Sequence, residues 1–125
     1  MKYLIDTHAL LWYAQGSLEL SKCALSLMES EECFYSMASL WEIAIKQRLG
    51  KLDTALSILE LDDLCNNADF KNIFITPHHI EATKKLDFIH RDPFDRLLIA
   101  QAQVENLTII TRDAMFARYA VPTVW

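Results

Sequence analysis

The chain has 125 residues, 52% of them hydrophobic, with only two glycines and three prolines. That length suits one domain burying roughly two-thirds of its unfolded surface, and the composition excludes a disordered, breaker-rich chain. A net charge of −5 excludes a protein that coats polyanions generally, because such binding rests on Lys and Arg neutralising phosphates.

The opening MKYLIDTHALLWY is broken by Asp6 and His8 and makes a poor signal peptide. KYLID (2–6) reads as a first strand, followed by helical stretches in THALLWYAQG and LSKCALSLMES. ECFYS (32–36) reads as a second strand and SLWEIAIKQRLG (39–50) as a helix stopped by Gly50. TALSILELDDLCNNA has apolar residues at helical spacing, IFIT (73–76) reads as a third strand, and PHHIEATKK as a short helix opened by proline. DPFDRLLIAQAQVEN (92–106) is a helix, LTIIT (107–111) a fourth strand, RDAMFARYA a last helical turn or two, and VPTVW a terminal strand.

No repeat or linker divides this series, so a single domain spanning 1–125 is expected. Its alternation predicts an α/β fold, a three-layer α/β/α sandwich around a mostly parallel five-stranded sheet. No run approaches the ~18 to 20 apolar residues of a bilayer span, and a cytoplasmic protein without membrane contact is expected. Cys23, Cys33 and Cys65 match neither a zinc knuckle nor a redox pair and are expected to be free and structural.

In parallel sheets ligands collect beyond the carboxyl ends of strands. Asp6 follows KYLI and Asp113 follows LTIIT by one residue, which puts both there. Taken singly, each is accounted for better as a helix cap. Glu42 in SLWEIAIKQRLG falls roughly opposite Leu40, Ile43, Ala44 and Gln47, where it could form an exposed i, i+4 pair with Lys46 worth a few tenths of a kcal/mol. Spacing does not say whether that side faces solvent or a pocket. In HRDPFDRLLIAQA, Asp92 before Pro93 is the expected N-cap, leaving Asp95 to project outward or to complement the helix dipole.

Collecting these carboxylates is costly, since two of them 4 Å apart repel by ~1 to 4 kcal/mol. Such a pocket needs raised pKa values or a bound cation, and oxygen ligands suit Mg²⁺ or Mn²⁺ better than zinc. The chemistry implied is hydrolysis of phosphate esters. Arg91, Arg96 and Arg112 flank the acidic positions as candidate phosphate contacts, with Lys46, Arg48 and Lys51 extending the rim. Each is also explained as a solvated charge.

The order LIDTHALLW, SLWEIAIKQRLGKL, RDPFDRLLIAQA and LTIITRDAMFARY resembles the PIN-domain ribonucleases, and among them the VapC-type toxins of type II toxin–antitoxin pairs. It covers nearly the whole chain, with little family signal in residues 52–72. The resemblance implies a Mg²⁺-dependent endoribonuclease, with Mn²⁺ a possible substitute, whose catalytic and metal-binding residues match Asp6, Glu42, Asp95 and Asp113. Thr7 and Thr111 match supporting hydroxyls. A cognate antitoxin, an RNA substrate and a homodimer are implied in the same way. Some relatives carry a further acid where this chain has Ala114, Met115 and Phe116, so a second metal is expected to bind weakly or only with substrate.

The alternatives are a non-catalytic phosphoryl-receiver-like signalling module, or a PIN nuclease of RNA processing that is not a toxin. His78 and His79 are expected at the surface or in a cap, His90 to end the loop before Asp92, and His8 as either a substrate neighbour or a structural group. Trp12 and Trp41, with Leu10, Leu11 and Tyr13, are expected in the core or in subunit contacts.

Overall fold

A computed structural model describes residues 1–125. Five strands, β1 (Lys2–Ile5), β2 (Glu32–Ser36), β3 (Lys71–Ile73), β4 (Thr108–Ile110) and β5 (Thr123–Val124), form one sheet in the order β3-β2-β1-β4-β5. All four pairings are parallel; β1 pairs Leu4 with Phe34 on one side and with Ile109 on the other. The chain runs outward from β1 through β2 to β3, then returns to start β4 on the opposite side of β1. Strand order therefore reverses between β1 and β4, the position at which parallel sheets open a crevice beyond their carboxyl ends.

Alternation of side chains along the strands builds the layers. Tyr3 and Ile5 of β1, with Ile110 of β4, face a core formed with α1 (Thr7–Gln15), α2 (Lys22–Ser30), α3 (Met37–Arg48) and α4 (Ile58–Asn67). Leu4 and Ile109 face a second core formed mainly with α6 (Pro93–Glu105), against which α5 (Pro77–Thr83) packs. The architecture is the expected α/β/α sandwich. No helix is long and apolar enough to cross a membrane.

Helix starts follow local chemistry. Ser21, Ser36, Ser57 and Thr76 accept backbone N–H groups at the starts of α2 to α5, while Asp6 and Asp92 do so for α1 and α6. Gly50, just past α3, has φ +71°, a conformation that disfavours a Cβ.

Two strands differ most from expectation. β3 covers 71–73 rather than 73–76, because its partner β2 ends at Ser36, which turns to cap α3 and leaves Phe74 unpaired and exposed. β5 is cut to two residues, since Pro122 has no N–H to donate, although its carbonyl accepts from Ile109. The segment after β4 makes one 3-10 turn, Phe116–Arg118, the shorter of the lengths expected for it. All three cysteines are free, with Cys33 and Cys65 buried and Cys23 exposed.

Candidate active site

The crevice beyond β1 and β4 is where the acids meet. Asp6 leaves β1 and caps α1, accepting the Ala9 N–H at 2.7 Å, and is 6% exposed. Burial raises its pKa above the ordinary carboxyl value, opposed by the Thr111 hydroxyl and the Ala9 N–H. Capping and membership of the cluster are thus held by one carboxylate. Asp113 divides the same two tasks between its oxygens, Oδ1 accepting the Met115 N–H at 2.9 Å and Oδ2 lying 3.2 Å from His90 Nε2.

Glu42 is 2% exposed, so the exposed-pair reading of this helix does not hold for the acid. The ion pair itself exists: Lys46 Nζ reaches Glu42 Oε2 at 2.6 Å. The other oxygen, Oε1, accepts the Thr7 hydroxyl at 2.7 Å, with Ser39 Oγ 3.0 Å from Thr7. Burial disfavours the Lys46 ammonium, but the hydrogen bond and charge of Glu42 outweigh it and hold its pKa above the ordinary lysine value. The solvent side of α3 is instead apolar: Trp41, 59% exposed and edge-on to Phe94, continues into Ile45 and Leu49. Trp41 is therefore not a core residue, whereas Leu10 and Leu11 are.

Asp92 accepts the Phe94 N–H at 2.8 Å and the Asp95 N–H at 3.4 Å, as an N-cap should. Asp95 is freed from capping and turns towards the other acids. Burial, then the carboxylates of Asp92 and Glu42, push its pKa up to about 7, with His90 acting against the rise.

His90 was not foreseen as part of the site. Its Nε2 lies 3.0 Å from Asp95 Oδ2 and 3.2 Å from Asp113 Oδ2, joining the first turn of α6 to the loop after β4. One ligand atom from each of these three residues falls within 4.8 Å of the others. Nothing local marks the histidine, because its partners are five and twenty-three residues away. His78 is exposed, whereas His79 is buried in the capping box of α5, so the capping expectation applies to it and the surface expectation does not.

The cations occupy different situations. Arg112 forms one wall of a cleft of about 280 Å³ shared with Asp6, His8, Trp12 and Asp113. It stacks 4.4 Å over Trp12 and pairs with Glu19 at 2.6 Å. Arg91 is exposed on a second cleft of about 380 Å³, lined by Glu42, Lys46, Lys51 and Asp92 among others. Arg96 is engaged elsewhere. Its Nη1 donates to Asp87 O and His90 O at 2.8 and 3.3 Å, and its Nη2 to Thr83 O and Leu86 O, both at 3.1 Å. Those donors hold the loop before α6 instead of facing the acids.

A divalent cation fits this donor set. The site gathers carboxylate oxygens, among which burial and then the neighbouring acids push the pKa of Asp95 up to about 7, and hard oxygen donors of this kind suit Mg²⁺ or Mn²⁺.

A family model described as "PIN domain" matches residues 3–122. The chain belongs to the PIN-domain family. Among solved structures, this PIN domain is similar to VapBC2 of Rickettsia felis bound to a promoter DNA fragment, at TM-score 0.74 and 16% identity, covering 100% of this chain and 99% of that one. VapBC-1 of nontypeable Haemophilus influenzae superposes at TM-score 0.70 and 14% identity, with 99% and 97% covered. A toxin–antitoxin complex of Klebsiella pneumoniae superposes at 0.67 and 18% identity, with 98% and 96% covered. No curated protein matches the sequence. Membership of the PIN family sets aside the phosphoryl-receiver alternative.

Proposed function

We propose that this PIN domain is a Mg²⁺-dependent endoribonuclease, the toxin of a type II toxin–antitoxin pair, active in the cytoplasm as a homodimer and held in check by a cognate antitoxin. The observation that carries the reading is the convergence of Asp6, Glu42, Asp95 and Asp113 on the crevice between β1 and β4, where burial and the neighbouring acids push the pKa of Asp95 up to about 7. The toxin–antitoxin complexes that share the fold support the antitoxin partner.

These four acids would hold Mg²⁺, or Mn²⁺ in its place. When bound, the cation supplies charge that polarises a phosphodiester, acidifies water and stabilises the leaving oxygen. Thr7 fixes Glu42 through its 2.7 Å hydrogen bond, and Thr111 supports Asp6. Lys46 offsets the charge of Glu42, while Arg112 and Arg91 stand at the two clefts as contacts for RNA phosphates.

The test is cleavage of a fluorogenic single-stranded RNA with Mg²⁺, with Mn²⁺ and with EDTA, by the wild type, Asp6→Asn and Asp95→Asn. Cleavage is expected only with the cation and only in the wild type. Full activity of Asp95→Asn, or cleavage in EDTA, would overturn the assignment. Growth arrest on expression, relieved by a small co-expressed neighbouring gene product, separates a toxin from an RNA-processing nuclease.

A further inference from the structure

His90 is held more firmly than a loop residue needs to be. Its backbone N–H donates to Tyr119 Oη at 2.7 Å, and its carbonyl accepts from Arg96. Its ring sits edge-on to Phe116, with centroids 5.6 Å apart. Arg96 fastens the carbonyls of Thr83, Leu86 and Asp87 along the same loop, and Tyr119 Oη donates to Asp87 O at 2.9 Å. Two separate parts of the fold, α6 through Arg96 and the segment after β4 through Phe116 and Tyr119, therefore fix where this imidazole lies.

The protonation of the ring follows from its neighbours. The Asp92 N–H approaches Nδ1 at 3.4 Å, which makes Nδ1 an acceptor and puts the proton on Nε2. That N–H hydrogen-bonds Asp113 Oδ2 at 3.2 Å, while Asp95 Oδ2 lies against Nε2 at 3.0 Å as an ion-pair contact. Were Nε2 to bind a cation directly, the proton would have to move to Nδ1, setting two N–H groups against each other at the Asp92 amide. Asp113 Oδ2 has a second lone pair, so accepting from His90 leaves this acid, like Asp95, able to bind a cation.

We infer that His90 is a positioning residue for the metal site: its Nε2–H donates to the carboxylate of Asp113 while the same nitrogen lies against that of Asp95, and so it holds the α6 half of the site against the β4 half. The inference rests on the metal-dependent reading given above. It makes His90 a group supporting the ligands, of the kind whose removal costs a metal site about 10- to 100-fold in affinity.

The experiment is calorimetric titration of Mn²⁺ into the full chain for the wild type, His90→Ala and His90→Gln, with circular dichroism to confirm folding. Glutamine reaches far enough to restore an N–H donor near the position of Nε2. The Kd for Mn²⁺ is expected to rise about 10- to 100-fold in His90→Ala and to recover largely in His90→Gln. Unchanged or tighter binding by His90→Ala would overturn the role while leaving the metal-dependent reading intact. Equal losses in the alanine and glutamine variants would also overturn it, since the donor would then be irrelevant. A wild type that binds no Mn²⁺ would remove the metal-dependent reading and this inference together.

Discussion

At His79, Nδ1 accepts the Thr76 N–H at 3.1 Å and Nε2 lies 3.0 Å from a single carboxylate, Glu105; at His90, Nδ1 accepts the Asp92 N–H at 3.4 Å and Nε2 faces two carboxylates. The local arrangement is nearly the same, with a ring nitrogen bound beside a helix start and the other turned to acid. The surroundings differ. His79 is 1% exposed and packed with Gln101, whose Oε1 accepts the Ser36 hydroxyl, so both of its ring nitrogens are engaged within the fold. Around His90 the balance is left open: Asp6, Glu42 and Asp92 lie near enough to bear on the same carboxyl group, and Asp95 keeps its proton up to about pH 7. A closed hydrogen-bond network stabilises a fold. An open one, short of positive charge, is ready for a ligand that brings it.

The sharpest way to break the comparison is to remove one acid from each region. Asp95→Asn should lower RNA cleavage by more than the ~100-fold typical of losing a mere supporting group. It should also stabilise the metal-free protein at pH 8 by up to about 4 kcal/mol, because a carboxylate charged in a buried place beside other acids is gone. Glu105→Gln, at the same distance from its own histidine, should leave cleavage unchanged. Urea denaturation in EDTA beside the RNA assay measures both effects, and a large activity loss in Glu105→Gln would erase the distinction.

Next in size is His79→Ala. It removes the cap partner of Thr76 and leaves a void among buried groups, a loss of about 2 to 4 kcal/mol. Mn²⁺ affinity and cleavage below the unfolding transition should stay at wild-type levels. A change in Mn²⁺ affinity with little change in stability would show that this region also serves the site.

How much of this contrast could be read beforehand depended on whether the cause was local. The strand ECFYS and the Asp92–Pro93 helix start coincide with the structure because burial pattern and cap chemistry lie within a few residues. The capping box joining Thr76 to His79 was within reach of the same reasoning, since it spans only three positions. Glu42 was recognisable as a candidate, but its burial depends on α1, whose Thr7 is thirty-five residues away. The bridge made by His90 depends on a return of the chain through β4. Strand ends were misplaced where a partner strand, and not the strand's own residues, decides where pairing stops, as at β3.

The pH dependence separates the two regions without mutation. Asp95 has its pKa raised from 3.8 to about 7, and burial raises Asp6 in the same direction. The folded state then holds protons that the unfolded chain releases. Their stabilising contribution is complete below about pH 4 and is lost as pH rises through about 7. In EDTA, thermal stability should fall from pH 5 to pH 8; with Mg²⁺ present the fall should be reduced, because cation affinity grows as the carboxyl groups lose their protons. Asp95→Asn should flatten the EDTA profile, whereas His79→Ala should shift it down without changing its slope.

The smallest expected effect concerns the rim. Arg112 is half-exposed, and its pair with the exposed Glu19 adds less than about 1 kcal/mol to stability. Its value to the site is its place on the cleft wall between Trp12 and Asp113, where a phosphate can compete with Glu19 for the guanidinium. If it neutralises one phosphate of a single-stranded RNA, Arg112→Ala should make the slope of log affinity against log salt shallower by about 0.7. Cleavage at saturating RNA should be nearly unchanged, since none of Asp6, Glu42, Asp95 and Asp113 pairs with Arg112. Arg96→Ala should do the reverse, leaving the salt slope alone and weakening Mn²⁺ binding, because its four carbonyl bonds act on the loop that carries His90. Binding measured by fluorescence anisotropy in the Asp95→Asn background, where RNA is not consumed, distinguishes the two arginines; a shallower slope in Arg96→Ala would assign that guanidinium to RNA.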